Sequence, residues 1–371
     1  MDLELTPEQR ELRSLASELL VQRVPREAVR DFFEGTGDTT ALWAELAELG
    51  WYGVGLEEDD AFGVPGLCVL AEQVGRTLAS TVLLDVAVAA RIVAAGPETV
   101  RSAWLERLLA GKSTVSLALT DGDETIASRD RSGAARVSGT TLGVQHGEHV
   151  GAFGVVASLD GAPVFVLISA DAHGVTVEPG FAVDPTGRPV RLVLDDVAVA
   201  ADSIVTDADA VERALAVGAT ATAAEAVGAA SAALDLAIQY AKEREQFGRP
   251  IGAYQAVQHI LAEAHVLRET SWSAVLYAAA ALDEEMADAA EATTVAKAYV
   301  SRAARTVVES ALQVFGGIGF TWEHDLHLYL RRVLACEQRF GDAAFHERRL
   351  AAAVAARAEK RLAVSSERSL G

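Results

Sequence analysis

The chain has 371 residues, of which 50% are hydrophobic. This length exceeds the size at which one hydrophobic core stops growing, so more than one packed unit is expected. Lys and Arg number 32 against 53 Asp and Glu, a formal net charge of -21, which argues against nucleic acid and anionic membranes as partners. A nucleotide ligand remains compatible, because a few arginines and helix N-termini bind phosphates locally.

The N-terminal residues and the cysteines indicate no special compartment. The stretch from Met1 to Glu4 is acidic and lacks the basic and apolar regions of a secretory signal. No apolar stretch approaches the ~20 uninterrupted residues of a membrane helix. Cys68 and Cys336 lack the paired spacing of a zinc or redox motif, which favours small buried side chains. We therefore expect a cytoplasmic protein.

Residues 1–112 are predicted to form an N-terminal helical domain. Thr6 supplies an N-cap hydroxyl, a proline follows at the first helical position, and Gln9 lies at the third. A later helical stretch contains Trp43, and Gly50 provides its stop. Both patterns are typical of short amphipathic helices.

Residues 113–206 change period and are predicted to form a middle antiparallel β domain. Apolar residues alternate with small or polar ones, as in half-buried strands. Val155-Val156 and the run from Val164 to Ile168 flank Asp160-Gly161, a dipeptide suited to a two-residue hairpin turn.

Residues 207–371 return to the helical period and are predicted to form a C-terminal helical bundle domain. Val257, Ile260 and Leu261 follow the i, i+3, i+4 spacing, and residues 292–314 form another long apolar segment. The many alanines favour closely packed helices. The predicted class is α+β, with helices, a β unit and a helical bundle in that order.

Two segments of the last domain resemble a known family. Residues 244–263 read REQFGRPIGAYQAVQHILAE and residues 313–323 read QVFGGIGFTWE. Both are similar to signature segments of the acyl-CoA dehydrogenase family, and with the domain order the resemblance covers essentially the whole chain. It implies the acyl-CoA dehydrogenase fold, with a C-terminal four-helix bundle, a bound FAD and an acyl-CoA substrate.

The resemblance also indicates where a catalytic base would lie. In the family a carboxylate removes the proton alpha to the thioester while the flavin takes a hydride from the beta carbon. The glutamate position of most members falls on Phe340, and that of a minority falls on Gly218. Neither residue accepts a proton, so the chain is expected to lack its own base. Asp342, Glu212 and Glu225 are the candidates for a displaced carboxylate.

Asp342 and its neighbour Glu337 have a second interpretation, as solvated or ion-paired carboxylates. Arg331, Arg332 and Arg339 are close in sequence and would be their partners. We favour this interpretation, because surface carboxylates are common in so acidic a chain.

In the family each FAD contacts two chains, and the resemblance implies that this sequence keeps only one half of the site. The half lent across the interface is intact. It comprises a guanidinium for the pyrophosphate, amides for adjacent oxygens, an aromatic ring and paired glycines for close approach: Arg244, Phe247, Gln255, Gln313, Gly316 and Gly317. The half supplied in cis is eroded at residues 120–123 (TDGD) and 143–147 (GVQHG), and the Gly-Thr that follows the base is Gly341-Asp342.

This asymmetry predicts a subunit of a heteromeric acyl-CoA dehydrogenase. A homologous chain would supply the glutamate and most of the FAD site, and an electron-transfer acceptor would take the electrons. A steroid side-chain thioester is an analogy with mixed assemblies in this family. The first alternative is a homo-oligomeric enzyme with a displaced carboxylate such as Asp342. The second is an inactive scaffold that binds CoA esters or a protein.

Two further motifs have plain interpretations. The pairs His146/His149 and His324/His327 lack a third ligand nearby, so no metal site is predicted. The run that begins at Gly316 lacks the strand and lysine of a phosphate loop, and we interpret it as a helix-ending turn.

Overall fold

The computed structural model describes residues 3–56, 60–119, 125–129 and 134–369, with side chains described as far as residue 357. Six helices precede residue 112 in the described part of the chain: α1 Pro7–Arg23, α2 Arg26–Glu34, α3 Thr40–Glu48, α4 Gly63–Thr77, α5 Leu83–Ala95 and α6 Glu98–Leu109. Cys68 on α4 and Cys336 near the C-terminus are both buried and free, as predicted.

The N-terminal helix signals are confirmed. The Thr6 hydroxyl accepts a hydrogen bond from the backbone N–H of Gln9 at 3.2 Å, and the Gln9 side chain accepts one from the N–H of Thr6 at 3.0 Å. These two bonds satisfy donors that a helix start leaves free. Gly50 follows α3 with φ 73, the left-handed conformation in which glycine is favoured.

The middle of the chain forms one eight-stranded sheet in the order β6-β7-β3-β2-β4-β5-β8, with β1 beside β4. The strands are β1 Val115–Ala118, β2 Thr125–Arg129, β3 Ala135–Val144, β4 Ala152–Leu159, β5 Ala162–Ser169, β6 Val175–Pro179, β7 Val190–Val199 and β8 Ile204–Val205. The turn between β4 and β5 is the predicted hairpin, with φ 54 at Asp160 and φ 82 at Gly161.

The prediction of a purely antiparallel sheet was wrong in one respect. Strands β1 and β2 each run parallel to β4, while the other pairs are antiparallel, so the sheet is mixed. Apolar alternation reports which face of a strand is buried and carries no information on the direction of the neighbouring strand.

The C-terminal part contains five described helices and a short hairpin: α7 Ala208–Glu243, β9 Glu245–Gln246, β10 Arg249–Pro250, α8 Gln255–Asp283, α9 Ala289–Phe315, α10 Leu326–Gln338 and α11 Ala343–Ser369. Helices α7, α8 and α9 pack on one another, α10 packs on α7 and α9, and α11 packs on α9. The expected four-helix bundle is therefore joined by one further helix.

Helix α7 lies at the centre of the molecule and crosses α4 at backbone contact. A Cβ added to Gly75 on α4 would lie 1.9 Å from the carbonyl oxygen of Glu225, and one added to Gly228 on α7 would lie 1.9 Å from that of Glu72. Only glycine allows this approach, so two glycines fix how the N-terminal domain sits on the bundle.

Helix α7 also corrects the expectation that no apolar stretch approaches membrane length. It is long and apolar enough to cross a membrane by length and composition, but 83% of the relevant window is buried inside the molecule. A core helix of this kind passes the same test, because a helix surrounded by others is apolar on every side.

Candidate functional site

The hairpin that follows α7 presents an exposed aromatic ring in a strained conformation. Phe247 and Gly248 form its two-residue turn, with φ 55 and φ 79. Mirror-image hairpin turns require positive φ at both positions, which glycine adopts freely and a bulky residue adopts only with strain. The Phe247 side chain is 94% exposed. A ring held at this cost outside the core points to a function.

The hairpin is anchored so that its polar residues face outward. The N–H of Ile251 donates to the Arg244 carbonyl at 2.7 Å, and the Tyr254 hydroxyl donates to the Gln246 carbonyl at 3.0 Å. The Arg249 guanidinium lies 4.0 Å over the Tyr254 ring. The Arg244 side chain stays exposed beside this fixed backbone.

The second predicted segment forms an open turn at the end of α9. The helix ends at Phe315, and Gly316 follows with φ 65, as the predicted helix-ending turn requires. A Cβ added to Gly316 or Gly317 would have no atom within 4 Å. Gln313 is exposed one turn earlier. The space in front of these glycines is open to a ligand or another chain.

An aromatic stack joins the two segments. The Tyr240 ring, near the end of α7, stacks on Phe315 with centroids 4.2 Å apart and an interplanar angle of 14°. The His324 ring also contacts Phe315, with ring centroids 4.4 Å apart. The two signature segments, about 70 residues apart in sequence, therefore lie at the same end of the bundle. All six residues predicted for the lent half are exposed: Arg244, Phe247, Gln255, Gln313, Gly316 and Gly317.

The two family positions for the base meet in space, although 122 residues separate them in the sequence. A Cβ added to Gly218 would lie 2.4 Å from the Phe340 ring and 2.9 Å from Val88. Phe340 therefore occupies the space that a side chain at position 218 would need. Phenylalanine has no group that accepts a proton, so neither position supplies a base.

The loop that carries Phe340 is held by a buried lysine. Lys297 on α9 is 1% exposed and donates to the carbonyls of Cys336 at 3.0 Å, Glu337 at 2.9 Å and Gly341 at 2.9 Å. Burial lowers the pKa of Lys297 to about 8. The lysine caps the end of α10 and ties it to the loop, as cationic groups do at helix C-termini.

The candidate displaced carboxylates lie in separate places. Asp342 directly precedes α11, and its side chain accepts a hydrogen bond from the N–H of Phe345 at 2.7 Å. Glu212 forms an exposed ion pair with Arg349 at 3.2 Å. Glu225 is buried and ion-paired with an arginine of α10. In these positions the three carboxylates cap a helix or neutralise an arginine.

That arginine is Arg332, and its guanidinium joins all three domains. Its Nε donates to Asp184 at 2.6 Å, its Nη1 to Glu225 at 3.0 Å, and its Nη2 to Thr186 at 2.9 Å. The remaining N–H groups donate to the carbonyls of Ala79 at 3.1 Å and Leu78 at 3.2 Å. All five donors are satisfied, as a buried guanidinium needs to be.

A second, partly buried ion pair lies in the same region. Arg339, beside Phe340, bonds Asp85 of α5 at 3.0 Å. Burial raises the pKa of Asp85, and the nearby Arg339 opposes that rise. The expected pairing of Asp342 and Glu337 with Arg331, Arg332 and Arg339 was wrong for the last two arginines, which bond Asp85, Asp184 and Glu225 instead. Arg331 donates to the Val183 carbonyl.

Between these ion pairs lies a cavity of about 20 Å³. Gln145 and His146 of the eroded strand segment line it together with Arg332 and Arg339. Burial lowers the pKa of His146 to about 3, so this imidazole is neutral. A space of this size holds about one water molecule, whereas ligand pockets measure ~300–1,000 Å³. The other eroded segment, residues 120–123, lies outside the described residues.

The buried contacts of Lys297 and the ion pairs of Arg332 and Arg339 were not predicted from the sequence. The sequence nevertheless carries a signal for two of the residues involved. Lys297 is the one charge between Glu291 and Arg302 on α9, and Asp85 is the one charge between Arg76 and Arg91. Charged residues are almost never buried without partners, so an isolated charge on a core helix predicts a specific buried contact. The identity of its partner depends on the fold.

Two family models match this chain. "Acyl-CoA dehydrogenase, N-terminal domain" matches residues 6–112, and "Acyl-CoA dehydrogenase, C-terminal domain" matches residues 208–355. The chain belongs to the acyl-CoA dehydrogenase family. The resemblance seen in the two signature segments is thereby confirmed, as is the α+β fold of the family.

Named relatives agree with this membership. The acyl-CoA dehydrogenase FadE34 of Mycobacterium tuberculosis is 34% identical over 357 residues, 95% of this chain and 47% of FadE34, so the chain spans about half the length of that relative. The solved steroid ACAD Tcur3481-Tcur3483 has a TM-score of 0.86 at 30% identity, over 95% of this chain and 99% of that one. The ChsE4-ChsE5 complex of Mycobacterium tuberculosis has a TM-score of 0.86 at 25% identity, over 96% and 99%.

The family resemblance implies FAD, and a solved glutaryl-CoA dehydrogenase of Mycobacterium smegmatis, 21% identical with a TM-score of 0.84, is described in complex with FADH2. The lent half of the site fits the cofactor, because its donors and its open glycines are exposed on one surface. The described part of the cis half does not fit it: the cavity between Gln145 and Arg339 measures about 20 Å³ and is lined by the ion-paired Arg332 and Arg339. The two halves of the site therefore differ in this chain.

Proposed function

We propose that this chain is the non-catalytic subunit of a heteromeric acyl-CoA dehydrogenase and that it completes a flavin site belonging to a homologous partner chain. The observation that carries the proposal is the contrast between the two halves of the site. The lent half is exposed and open at Gly316 and Gly317, while the space near Phe340 is filled by Arg339 and its carboxylate partner.

The residues of the lent half have distinct tasks in this proposal. Arg244 supplies fixed donors to the pyrophosphate, and Gln255 and Gln313 supply amides to neighbouring oxygens. Phe247 packs its exposed ring on the cofactor, and the glycine pair lets it approach the backbone. When bound, FAD would supply the acceptor for the hydride from the beta carbon of the acyl-CoA, and the partner chain would supply the glutamate that takes the alpha proton.

The solved relatives support a two-chain assembly. One is described as a complex of ChsE4 with ChsE5, and another pairs two names and is described as a steroid ACAD. We extend both properties to this chain as part of the proposal: a heterotetramer, and a steroid side-chain CoA ester as substrate. An electron-transfer acceptor would reoxidise the flavin, and the chain would act in the cytoplasm.

The alternative with a displaced base has less support. Asp342 caps α11 through the Phe345 N–H, and an aspartate engaged in capping is not free to approach a substrate carbon. An inactive scaffold has no specific observation in its favour, because it gives no reason for Phe247 to be held strained and exposed.

The test is the flavin content of the purified chain, alone and after co-expression with acyl-CoA dehydrogenase chains of the same organism that carry the glutamate. We expect flavin and activity only in a mixed complex. Arg244→Ala in this chain should lower the flavin content of that complex, and Arg213→Ala, on α7 outside the predicted site, is the control. Stoichiometric flavin in the lone chain would contradict the proposal.

A further inference from the structure

Two stacked rings lie next to residues predicted to contact the flavin. Tyr240 is in the last turn of α7, and its carbonyl accepts the N–H of Arg244 at 2.8 Å. Phe315 is the last residue of α9, directly before Gly316. The two rings stack with centroids 4.2 Å apart, so one contact joins the helix ends that carry the two signature segments.

Each signature segment is held to the helix end that carries its ring. The Ile251 N–H donates to the Arg244 carbonyl at 2.7 Å, which holds the hairpin to the end of α7. The Gly316 N–H donates to the carbonyls of Leu312 and Gln313, which holds the glycine turn to the end of α9. A movement of one helix end against the other would therefore change the spacing between Arg244 and the glycines.

The stack is braced by a third element. The Nδ1 atom of His324, whose ring contacts Phe315, accepts the N–H of Leu326 at the start of α10 at 3.2 Å. Phe315 is only 7% exposed, so its ring has little freedom to follow a displaced α7. Aromatic pairs at such separations are stabilising beyond the area that they bury.

We infer that Tyr240 is a positioning residue for the flavin, because its stack on Phe315 sets the spacing between the Arg244 guanidinium and the pair Gly316 and Gly317. The inference rests on the proposed function. A cofactor held at two points binds well only when those points match the spacing of its own groups, and supporting residues must keep them within about 0.5 Å. Tyr240 acts through Phe315 and is not counted among the residues that contact the cofactor.

The experiment measures the affinity of the co-expressed mixed complex for flavin, from the fluorescence of the flavin released on dilution. Tyr240→Leu keeps an apolar side chain but removes the stack, and it should weaken flavin binding roughly 10-fold, the limit of what one aromatic pair contributes. Tyr240→Phe preserves the ring and should bind flavin like the wild type. Tyr277→Leu, near the C-terminal end of α8 and away from the hairpin, is the control for a general loss of packing.

Phe315→Leu removes the same contact from the side of α9 and completes a double-mutant cycle. The double variant Tyr240→Leu/Phe315→Leu should bind flavin no more weakly than either single variant, because the stack is lost only once. Additive losses in the cycle would overturn the inference, as would an equal loss in Tyr277→Leu, because the rings would then be ordinary core packing.

Assembly and folding are measured beside flavin affinity, by sedimentation of each mixed complex and thermal unfolding of each lone chain. If Tyr240→Leu and Phe315→Leu both fail to assemble while Tyr240→Phe assembles, the stack supports the fold rather than the spacing, and the inference is wrong. An assembled Tyr240→Leu complex with the flavin affinity of the wild type, beside an Arg244→Ala complex that has lost flavin, would overturn the inference and leave the proposed function standing. If neither variant loses flavin, the proposed function fails and the inference with it.

Discussion

Arg332 shows how one side chain connects the N-terminal helices, the sheet and the bundle. Its two carboxylate partners belong to different domains, and its carbonyl acceptors belong to a third. Arg332→Met would leave Asp184 and Glu225 buried without the guanidinium that both of them bond. Breaking one side of a buried ion pair typically costs about 3–5 kcal/mol, and we expect a loss of this size in the free energy of unfolding by urea.

Arg331→Met is the matched control for this loss, because it removes the neighbouring guanidinium on the same helix. Arg331 is only partly buried and bonds one carbonyl, that of Val183, while its guanidinium lies 5.1 Å over the Phe33 ring. We expect its loss to cost about 1 kcal/mol. Equal losses in the two variants would contradict a network centred on Arg332.

Lys297 should make the free energy of unfolding rise with pH in the alkaline range. Its pKa is about 8 in the folded chain against an ordinary 10.5, because burial disfavours the ammonium. Between these values the unfolded chain holds a proton that the folded chain has released. The free energy of unfolding should therefore rise with pH across this window, by on the order of 3 kcal/mol from this group.

The variant Lys297→Met isolates this effect. The wild-type and variant proteins contain the same other titrating groups, so the difference between their unfolding curves from about pH 8 to pH 10.5 reports Lys297 alone. We expect the variant to lack the wild-type rise. Parallel pH profiles would show that the ammonium stays charged in the folded chain, stabilised by the carbonyls of Cys336, Glu337 and Gly341.

At the scale of elements, one substitution in the β9–β10 hairpin should change the stability of the chain and its contribution to the flavin site in opposite directions. Phe247 has φ 55 beside Gly248, and asparagine adopts this region with less strain than phenylalanine. Phe247→Asn should stabilise the lone chain by about 0.5–1 kcal/mol, since the left-handed conformation costs a bulky residue roughly that much or more. The same change should lower the flavin content of the mixed complex.

The prediction is that Phe247→Asn raises the stability of the lone chain and lowers the flavin content of the mixed complex. Thermal unfolding of the lone chain reports the relief of strain, and flavin absorbance of the complex reports the lost ring. Leu142→Asn on β3 is the control, because it replaces a 72% exposed side chain without a positive φ. A destabilised Phe247→Asn chain would mean that the ring packs within its own subunit.

At the scale of the whole molecule, the site at Phe340 is closed by groups from several elements. The ring meets Gly218 of α7, and the adjacent Arg339 bonds Asp85 of α5. Restoring the acid alone should therefore not restore chemistry. We expect Phe340→Glu to show no acyl-CoA oxidation as a lone chain with an artificial electron acceptor, because the neighbouring cavity of about 20 Å³ admits no acyl group.

Turnover by the lone Phe340→Glu chain would show that the ion pairs open readily and that only the base was missing. The wild-type chain assayed beside it controls for contaminating dehydrogenases. Circular dichroism of the variant establishes that it folds, since the loop remains tied by Lys297 and by the contact of His346 with the carbonyl of residue 340.

The sequence by itself determined the features that depend on local pattern. The capping residues Thr6 and Gln9, the hairpin at Asp160-Gly161 and the turn at Gly316 follow from backbone conformations that few residue types adopt. The absence of a carboxylate at positions 218 and 340 was likewise readable from the motifs.

Only the tertiary structure decided which distant residues meet. It placed Phe340 against Gly218, gave Arg332 its partners, and set β1 and β2 parallel to β4. These contacts arise from how elements cross, as at the glycines that bring α4 onto α7, and no local period encodes such a crossing. The sequence thus showed that neither family position for the base carries a carboxylate, and the packing of the domains showed that the Phe340 ring lies against Gly218.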